Sequence, residues 1–530
     1  MKKSTYDIVI VGSGAAGLTA AVTAAARGAS VLVVEKSDYV GGTSALSGGL
    51  LWAPGYKNEK SSSDEIVQYI QAATKNEGSP ETVELFVREV AKTMRFLERV
   101  TPLRLKKAYY PDSFAELPGG VTKGRHFDTA PFRMGRLGKR RSLVRPDTDT
   151  QIVTVDEAVR LGFASNTKRA IRQNLLRLAF RQLLGYRGMG GGLIAALLKG
   201  CDDLGVTIKT NTEVDALLHD KQHVAGVSVA SDGVKSEIRT VKGVILAVGG
   251  FEWDKAKVAE NLQADLAPPP SPPLAMGENI DLLEGMDVSY EKLDDAWYWP
   301  VGYVPGTEYE GRQLGTLILA ERCFPHSFWV NSDGQRFVNE ASHNCALALL
   351  EEENNSCWAV FDSQFREKYS VLSTVSPSAP DPDWLIRADS LSSLAQAIGV
   401  DPGGLEKTTA RYNANVKTGD DPDFGRGRYA YDRYYGDGQA PYPNLGTVEK
   451  APFYAVKVGL SVVGTKGGAK TNAVGQVLRT NGIPVSGLFA IGNASHAIPG
   501  PISPAGGITI SAGMNSGRLS ALTALGINDR

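Results

Sequence analysis

The chain has only four cysteines in 530 residues, Cys201, Cys323, Cys345 and Cys357. None stands in a CxxC spacing, so neither an iron-sulfur cluster nor a disulfide framework is indicated, and a reducing cytoplasm is the expected location. An excess of either charge is also missing: 57 basic and 58 acidic residues leave a formal net charge of -1. That balance gives no global reason to expect nucleic acid or an anionic membrane as partner. No stretch reaches the roughly 18 uninterrupted apolar residues that a membrane-spanning helix needs. The opening MKK and the apolar run after it are not read as an export signal, because Asp7, Gly12 and Gly14 interrupt the run. With 42% hydrophobic residues, a chain of this length buries at least one large core and is expected to form two domains.

Glycine, by contrast, is abundant, and its placement organises the rest. DIVIVG is a short β-rich run, GSGAAG at 12–17 a tight turn, LTAAVTAAARG a small-residue helix, and SVLVVEK a second strand ending in Glu35. This strand-turn-helix-strand unit carries an acidic residue about 20 positions beyond the glycines, the layout of a dinucleotide site. Gly12 allows the turn, Gly14 lets backbone approach a pyrophosphate and Gly17 permits close helix-strand packing, while the helix N-terminus presents N–H groups to the anion. Glu35 suits a ribose hydroxyl pair. Glu35 and Lys36 are followed almost at once by GGTSALSGG, residues 41–49. This second glycine and hydroxyl patch, with Gly41, Gly42, Thr43, Ser44, Ser47, Gly48 and Gly49, suits a long stationary cofactor whose redox ring is held by backbone. That cofactor is FAD, bound without a covalent link because the fingerprint holds no histidine or cysteine.

VGSGAAGLTAA, VVEK and GGTSALSGG together resemble the flavoprotein superfamily that includes soluble fumarate reductases and 3-ketosteroid dehydrogenases, the second being the better match. GVILAVGGFEW at 243–253, WVNSDGQRFVNE at 329–340, GTKGG at 464–468 and GLFAIGNAS at 487–495 extend the resemblance over essentially the whole chain. It implies an α/β fold: a Rossmann-like, glutathione-reductase-type FAD domain with an inserted α+β substrate-capping domain. The expected boundaries are 1–285 and 451–530 for the FAD domain and 286–450 for the cap, the LAPPPSPP segment at 266–273 marking the approach to the switch. The resemblance adds Ala15, Ala16, Val214, Ala247, Gly249, Gly250, Gly492, Asn493, Gly506 and Ile508 to the expected cofactor contacts.

Between these landmarks, helical periodicity is read at 64–100 and 168–184, a loop-like stretch at 101–150, and a hairpin around SDGQ at 332–335. DSLSSLAQAIGV reads as a short helix opened by Asp389 or Ser390 and ended near Gly399. Arg133, Arg136, Lys139, Arg140, Arg141 and Arg145 form a basic run with two readings: a solvated, salt-bridged surface, or a source of one arginine for an acidic group on a small substrate.

For a saturated ketone, FAD accepts a hydride while a base removes the proton beside the carbonyl and donors face the developing enolate. Fumarate reductases carry histidine before the glycine pair where this chain has Val463 and Gly464, although Arg426 lies near that family's proton-donating arginine. The steroid dehydrogenases use three tyrosines, whose counterparts here are Phe114, Asn344 and Ser503; Gly507 carries over as the backbone donor to the ketone. Another base is therefore required. Tyr186 is the first candidate, with Arg187 or the basic run favouring its phenolate; Tyr109 and Tyr110 come next. Tyr298, Tyr303, Trp297 and Trp299 read as an apolar wall, and His343 and His496 as structural or proton-handling histidines. The expected activity is desaturation of a small cyclic ketone such as 4-oxocyclohexanecarboxylate. The alternatives are a 3-ketosteroid dehydrogenase, a fumarate-reductase-like enoate reductase and a non-catalytic flavin-binding protein. The electron acceptor is open among oxygen, a quinone and an electron-transfer protein, and no metal site is expected.

Overall fold

The computed structural model describes residues 4–147, 151–220, 223–496 and 502–528; the MKK start therefore lies outside the described residues. The first sheet starts with β1 (Ser4–Val11), crosses over through α1 (Ala15–Ala25) and returns as β2 (Val31–Val34). Every residue of β2 is buried, which suits a strand covered on both faces in a parallel sheet. Alanine and glycine dominate α1, and this smallness lets a C-terminal helix lie close: a Cβ on Gly517 would fall 2.5 Å from the Ala16 carbonyl oxygen.

After α2 (Thr167–Leu183), the chain adds β3 (Thr207–Lys209), then β4 (His223–Ser231) and β5 (Val234–Leu246), which pair antiparallel. The end of β5 turns parallel to β1, with Val9 opposite Val244 and Val11 opposite Leu246.

A second sheet is then inserted. It contains β6 (Ala296–Gly302), β7 (Ser327–Val330), β8 (Ser356–Asp362) and β9 (Phe453–Thr465), with α3 (Ala430–Tyr435) lying between β8 and β9 in the chain. Strand β9 is its centre, flanked by β6 and β8 and antiparallel to both. Strand β9 follows residue 450 in the chain and pairs with both inserted strands, with Val458 opposite Gly302 on one side and Cys357 on the other. The chain rejoins the first sheet with β10 (Pro484–Ala490), parallel to β5, and ends in α4 (Ile508–Ala524).

Two expectations meet a different outcome. The SDGQ turn forms, with Asn331 N–H donating to the Gln335 carbonyl at 3.0 Å, but no second hairpin strand follows it. Strand β7 pairs with β8, while Arg336 is drawn into ion pairs with Glu340 and Asp421 at 2.9 and 3.0 Å. The 101–150 stretch contains Leu105–Lys107 and His126–Thr129; the second of these is the centre of a small antiparallel sheet, with Leu105–Lys107 on one side and Leu50–Trp52 on the other. The short helix Leu391–Ile398 follows expectation, with Ser390 capping its start and Gly399 closing it at φ +73°. All four cysteines are buried and free. Among the described residues, no helix is long and apolar enough to cross a membrane, and no cluster of histidine, cysteine and acidic groups could hold a metal.

Candidate functional site

A cavity of about 440 Å³ lies where the two sheets meet, and its walls differ in kind. The first wall is the glycine unit. Gly12 adopts φ +102° and a Cβ there would collide with the Ala247 carbonyl, so its role is to let the strands approach. Gly17 would likewise collide with the Gly12 carbonyl. Gly14 is different: a Cβ on it meets nothing nearer than Ser44 Oγ at 3.6 Å and projects into the cavity it lines. Empty space is therefore what that glycine provides, as a bound cofactor requires.

Glu35 is held at the same wall. Its carboxylate accepts the Ser13 N–H at 3.1 Å, the Ser13 hydroxyl at 2.6 Å and the Ser37 N–H at 3.0 Å. Lys36 reaches the Leu274 carbonyl at 2.6 Å and pairs with Glu278. In the second patch, the Ser44 hydroxyl accepts the Ala15 N–H at 3.2 Å, and Gly49 leaves room for Met189 and Gly190. Glu252 and Glu278 also line the cavity, and each has a buried carboxyl oxygen with no hydrogen-bond partner. Burial pushes Glu252 up to about 7, so this acceptor is most stable when a proton or a hydroxyl donor reaches it. A polyhydroxylated dinucleotide fits this donor-poor, acceptor-rich edge and the open glycine cradle beside it.

Of the expected cofactor residues, Gly12, Gly14, Ala15, Ala16, Glu35, Lys36, Gly42, Thr43, Ser44, Ser47, Gly48 and Gly49 line the cavity. So do Val214, Ala247, Gly249, Gly250, Gly492 and Asn493. Gly17, Gly41, Gly506 and Ile508 do not: Gly41 donates its N–H to Ser13 Oγ behind the wall, and Gly506 supports Tyr110.

The second wall is made of side chains. Trp297 and Trp299 from β6, Leu317, Leu319, Tyr110 and Tyr435 face the same cavity as Gly507. Gly507 caps α4 at φ +83°, and its N–H donates to no acceptor among the described residues, which leaves a helix N-terminus beside the cavity that Gly507 lines. Tyr110 lies against the neighbouring Gly506, where a Cβ would fall 3.0 Å from its phenol oxygen.

Tyr110 belongs to an aromatic cluster. Its oxygen accepts the Tyr435 hydroxyl at 3.0 Å, and its ring is 4.8 Å from that of Tyr434 and 6.1 Å from that of Tyr431. Arg322 donates to the Tyr431 hydroxyl at 3.5 Å while its other nitrogen is anchored on the Glu340 and Ser342 carbonyls, both at 2.6 Å. Burial raises the pKa of Tyr110, but the hydrogen bonds from Tyr435 and Tyr431 and the charge of Arg322 oppose that rise. Tyr431 and Tyr435 are pushed well above the ordinary phenol value by burial, and the Tyr110 negative charge raises them further. Within this cluster the phenolate is therefore easiest to form on Tyr110. His126, 4.7 Å from the Tyr110 ring, is pushed down to about 3 by burial and stays neutral.

The other candidates lie elsewhere. Tyr186 pairs through its backbone with Arg133, sits half-buried 6.5 Å from the Phe180 ring and does not line the cavity. Arg187 is ion-paired with Asp147 at 3.0 Å. Tyr109 is 56% exposed under the Arg160 guanidinium. Arg145 is buried between Ser37 and Glu310, and Arg426 is spent on the Ser327, Arg322 and Phe324 carbonyls, so neither offers a charge to a ligand. Burial pushes His343 down to about 3 among Trp299, Phe114 and Tyr431. Trp297 and Trp299 occupy the expected wall, whereas Tyr303 is exposed. Sequence reading missed Tyr431, Tyr434 and Tyr435; their spacing of three and four on AYDRYY would have put them on one helix face. Arg322 left no such signal.

Comparison with known proteins agrees with this geometry. A family model described as an FAD binding domain matches residues 7–510. The 4-oxocyclohexanecarboxylate 2-dehydrogenase of Sinomonas cyclohexanicum is 34% identical over 99% of this chain and 93% of that protein. The 3-oxosteroid 1-dehydrogenase of Mycolicibacterium smegmatis is 33% identical over 98% of this chain and 97% of its own. The crystal structure of 3-ketosteroid delta1-dehydrogenase from Sterolibacterium denitrificans, in complex with 1,4-androstadiene-3,17-dione, superposes with a TM-score of 0.91 at 31% identity, covering 99% of this chain and all of that one.

Proposed function

The chain belongs to the FAD binding domain family, and on that premise we propose that it desaturates a neutral cyclic ketone of the 3-oxosteroid kind, with Tyr110 as the base. It is an FAD-dependent oxidoreductase of the CH–CH dehydrogenase type that binds FAD non-covalently, within the 3-ketosteroid and cyclic-ketone dehydrogenase group. Its finer specificity rests on one observation. Among the described residues lining the cavity, Lys36 is the single cation, and it is already engaged by Glu278 and the Leu274 carbonyl. A substrate carboxylate buried here would lose its hydration without gaining a partner, which is costly. A neutral ketone with an apolar ring system loses nothing of that kind and gains contact with Trp297, Trp299, Leu317 and Leu319.

The free N–H of Gly507, reinforced by the α4 dipole, polarises the carbonyl and acidifies the neighbouring C–H. Tyr110 takes that proton as a phenolate, held ready by the Tyr435 hydroxyl on one side and the Tyr431–Arg322 pair on the other. The tryptophan and leucine wall excludes water from the enolate. Bound FAD supplies the hydride acceptor, which no side chain here provides. Turnover then needs an external electron acceptor, for which oxygen, a quinone and an electron-transfer protein remain the candidate classes.

The deciding experiment is anaerobic mixing of the yellow protein with a saturated 3-oxosteroid, with 4-oxocyclohexanecarboxylate and, after reduction, with fumarate. The oxidised flavin spectrum should bleach fastest with the neutral ketone. Faster bleaching by the carboxylate would reject the neutral-ketone assignment, and ready reoxidation by fumarate would reject ketone chemistry as the main activity.

A further inference from the structure

Helix α2 is an unusual surface element. Of its seventeen residues only Ala170, Leu178 and Arg181 are buried. Leu176 and Leu183, on the opposite side, are 87% and 85% exposed, and Phe180, Leu175 and Ile171 are exposed beside them. Residues 167–183 contain no aspartate or glutamate but five cations. Arg177 and Arg181 pair with Glu157, whereas Arg169 and Arg172 carry no ion pair among the described residues. The basic run abuts the same helix. Met134 N–H donates to the Gly185 carbonyl at 2.9 Å, and Arg133 pairs with Tyr186, so exposed Arg133, Arg136, Lys139 and Arg141 continue the surface past the end of α2.

We propose that α2 and the 133–141 run form a docking face for an anionic lipid surface, with Leu176, Phe180 and Leu183 entering the headgroup region and the arginines meeting lipid phosphates. Large apolar side chains interleaved with unpaired cations on the outer side of a surface helix match both components of a bilayer interface at once. A second copy of the chain fits less well, because the same face would bring unpaired Arg169 and Arg172 against their own kind, and the nearby Glu157 is already taken by Arg177 and Arg181. The attraction is local, since the whole chain is almost neutral. This inference stands apart from the ketone chemistry, although Val155, twelve residues before α2 begins, lines the cavity and so ties the two regions into one stretch of chain.

The test is sedimentation of the FAD-loaded protein with vesicles of phosphatidylcholine alone and of phosphatidylcholine with phosphatidylglycerol. Binding should appear with phosphatidylglycerol and weaken as salt is added. The double variant Leu176→Glu/Leu183→Glu should lower binding at least about tenfold, and Arg169→Gln/Arg172→Gln by about fivefold per charge. Both variants should keep the flavin spectrum and the thermal midpoint of the parent, which certifies the fold. Failure of the parent to sediment with phosphatidylglycerol vesicles would overturn the proposal. So would equal binding by the leucine variant, or light scattering that shows a parent dimer which the leucine variant dissolves.

Discussion

The glycine cradle of the cavity comes from two neighbouring stretches, 12–16 and 42–49, whereas the ketone wall draws Tyr110, Trp299, Leu319, Tyr435 and Gly507 from five separate ones. On the first wall a residue matters by what it omits: Gly14 contributes an empty place and Gly12 a close approach. On the second it matters by what it adds, a phenol, an indole or an isobutyl group at a set position. The first wall should therefore fail when side-chain atoms are added and the second when they are removed.

The largest effect is expected at Tyr110. General-base catalysis contributes typically about 10² to 10⁴-fold, so Tyr110→Phe should slow ketone-dependent flavin reduction by at least roughly 100-fold while the protein stays yellow. Stopped-flow reduction within about threefold of the parent would remove Tyr110 from the mechanism and return Tyr186 to first place.

Next comes the glycine wall, where two substitutions should part company. Gly14→Val fills the cradle with no clash at its Cβ, which meets only Ser44 Oγ at 3.6 Å, and overpacking of about 1–3 kcal/mol corresponds to FAD retention weaker by roughly 5- to 150-fold. Gly12→Ala, strained at φ +102° and colliding with Ala247, should instead yield little folded protein. Equilibrium dialysis of FAD together with circular dichroism separates the outcomes; loss of fold in Gly14→Val would show that this glycine, too, is structural.

A smaller, pH-dependent effect is expected from Tyr435→Phe. Burial raises the Tyr110 pKa, so flavin reduction should accelerate as pH rises and phenolate forms. Removing the Tyr435 donor raises that pKa further, because the lost bond favours the charged form. With Tyr431 still in place, loss of one hydrogen bond to the charged form, worth about 1.5 kcal/mol, corresponds to roughly tenfold slower reduction below the limb. An unmoved alkaline limb would mean that Tyr110 does not titrate in the reaction.

The smallest effect is expected at the apolar wall. Leu319→Ala should raise KM for a neutral ketone by about three- to tenfold and leave kcat nearly unchanged, as loss of uniform apolar binding does. A fall in kcat with constant KM would place Leu319 among the groups that act only in the transition state.

The fingerprint at 12–49 made the Rossmann-like unit and FAD binding legible directly, because they rest on backbone and on glycines whose spacing is a local property of the chain. Gly507 was expected from the family resemblance alone, and the fold places it at the start of α4. The choice among tyrosines was not legible. Tyr109 and Tyr110 are adjacent in sequence, yet one is exposed under Arg160 and the other is enclosed with Tyr431 and Tyr435, 321 and 325 positions away, an arrangement made by packing α3 beside the small sheet. Tyr186 had a favourable neighbourhood in sequence; in the fold it pairs with Arg133 and does not line the cavity. The basic run, read by composition alone, left open whether it served a substrate; the fold buried Arg145 between Ser37 and Glu310 and left the other members at the surface or, for Arg140, paired with Asp202. Local chemistry was settled by neighbours in the chain, while which charge or phenol could ionise was decided by burial and by partners brought from distant segments, quantities that exist only in the folded molecule.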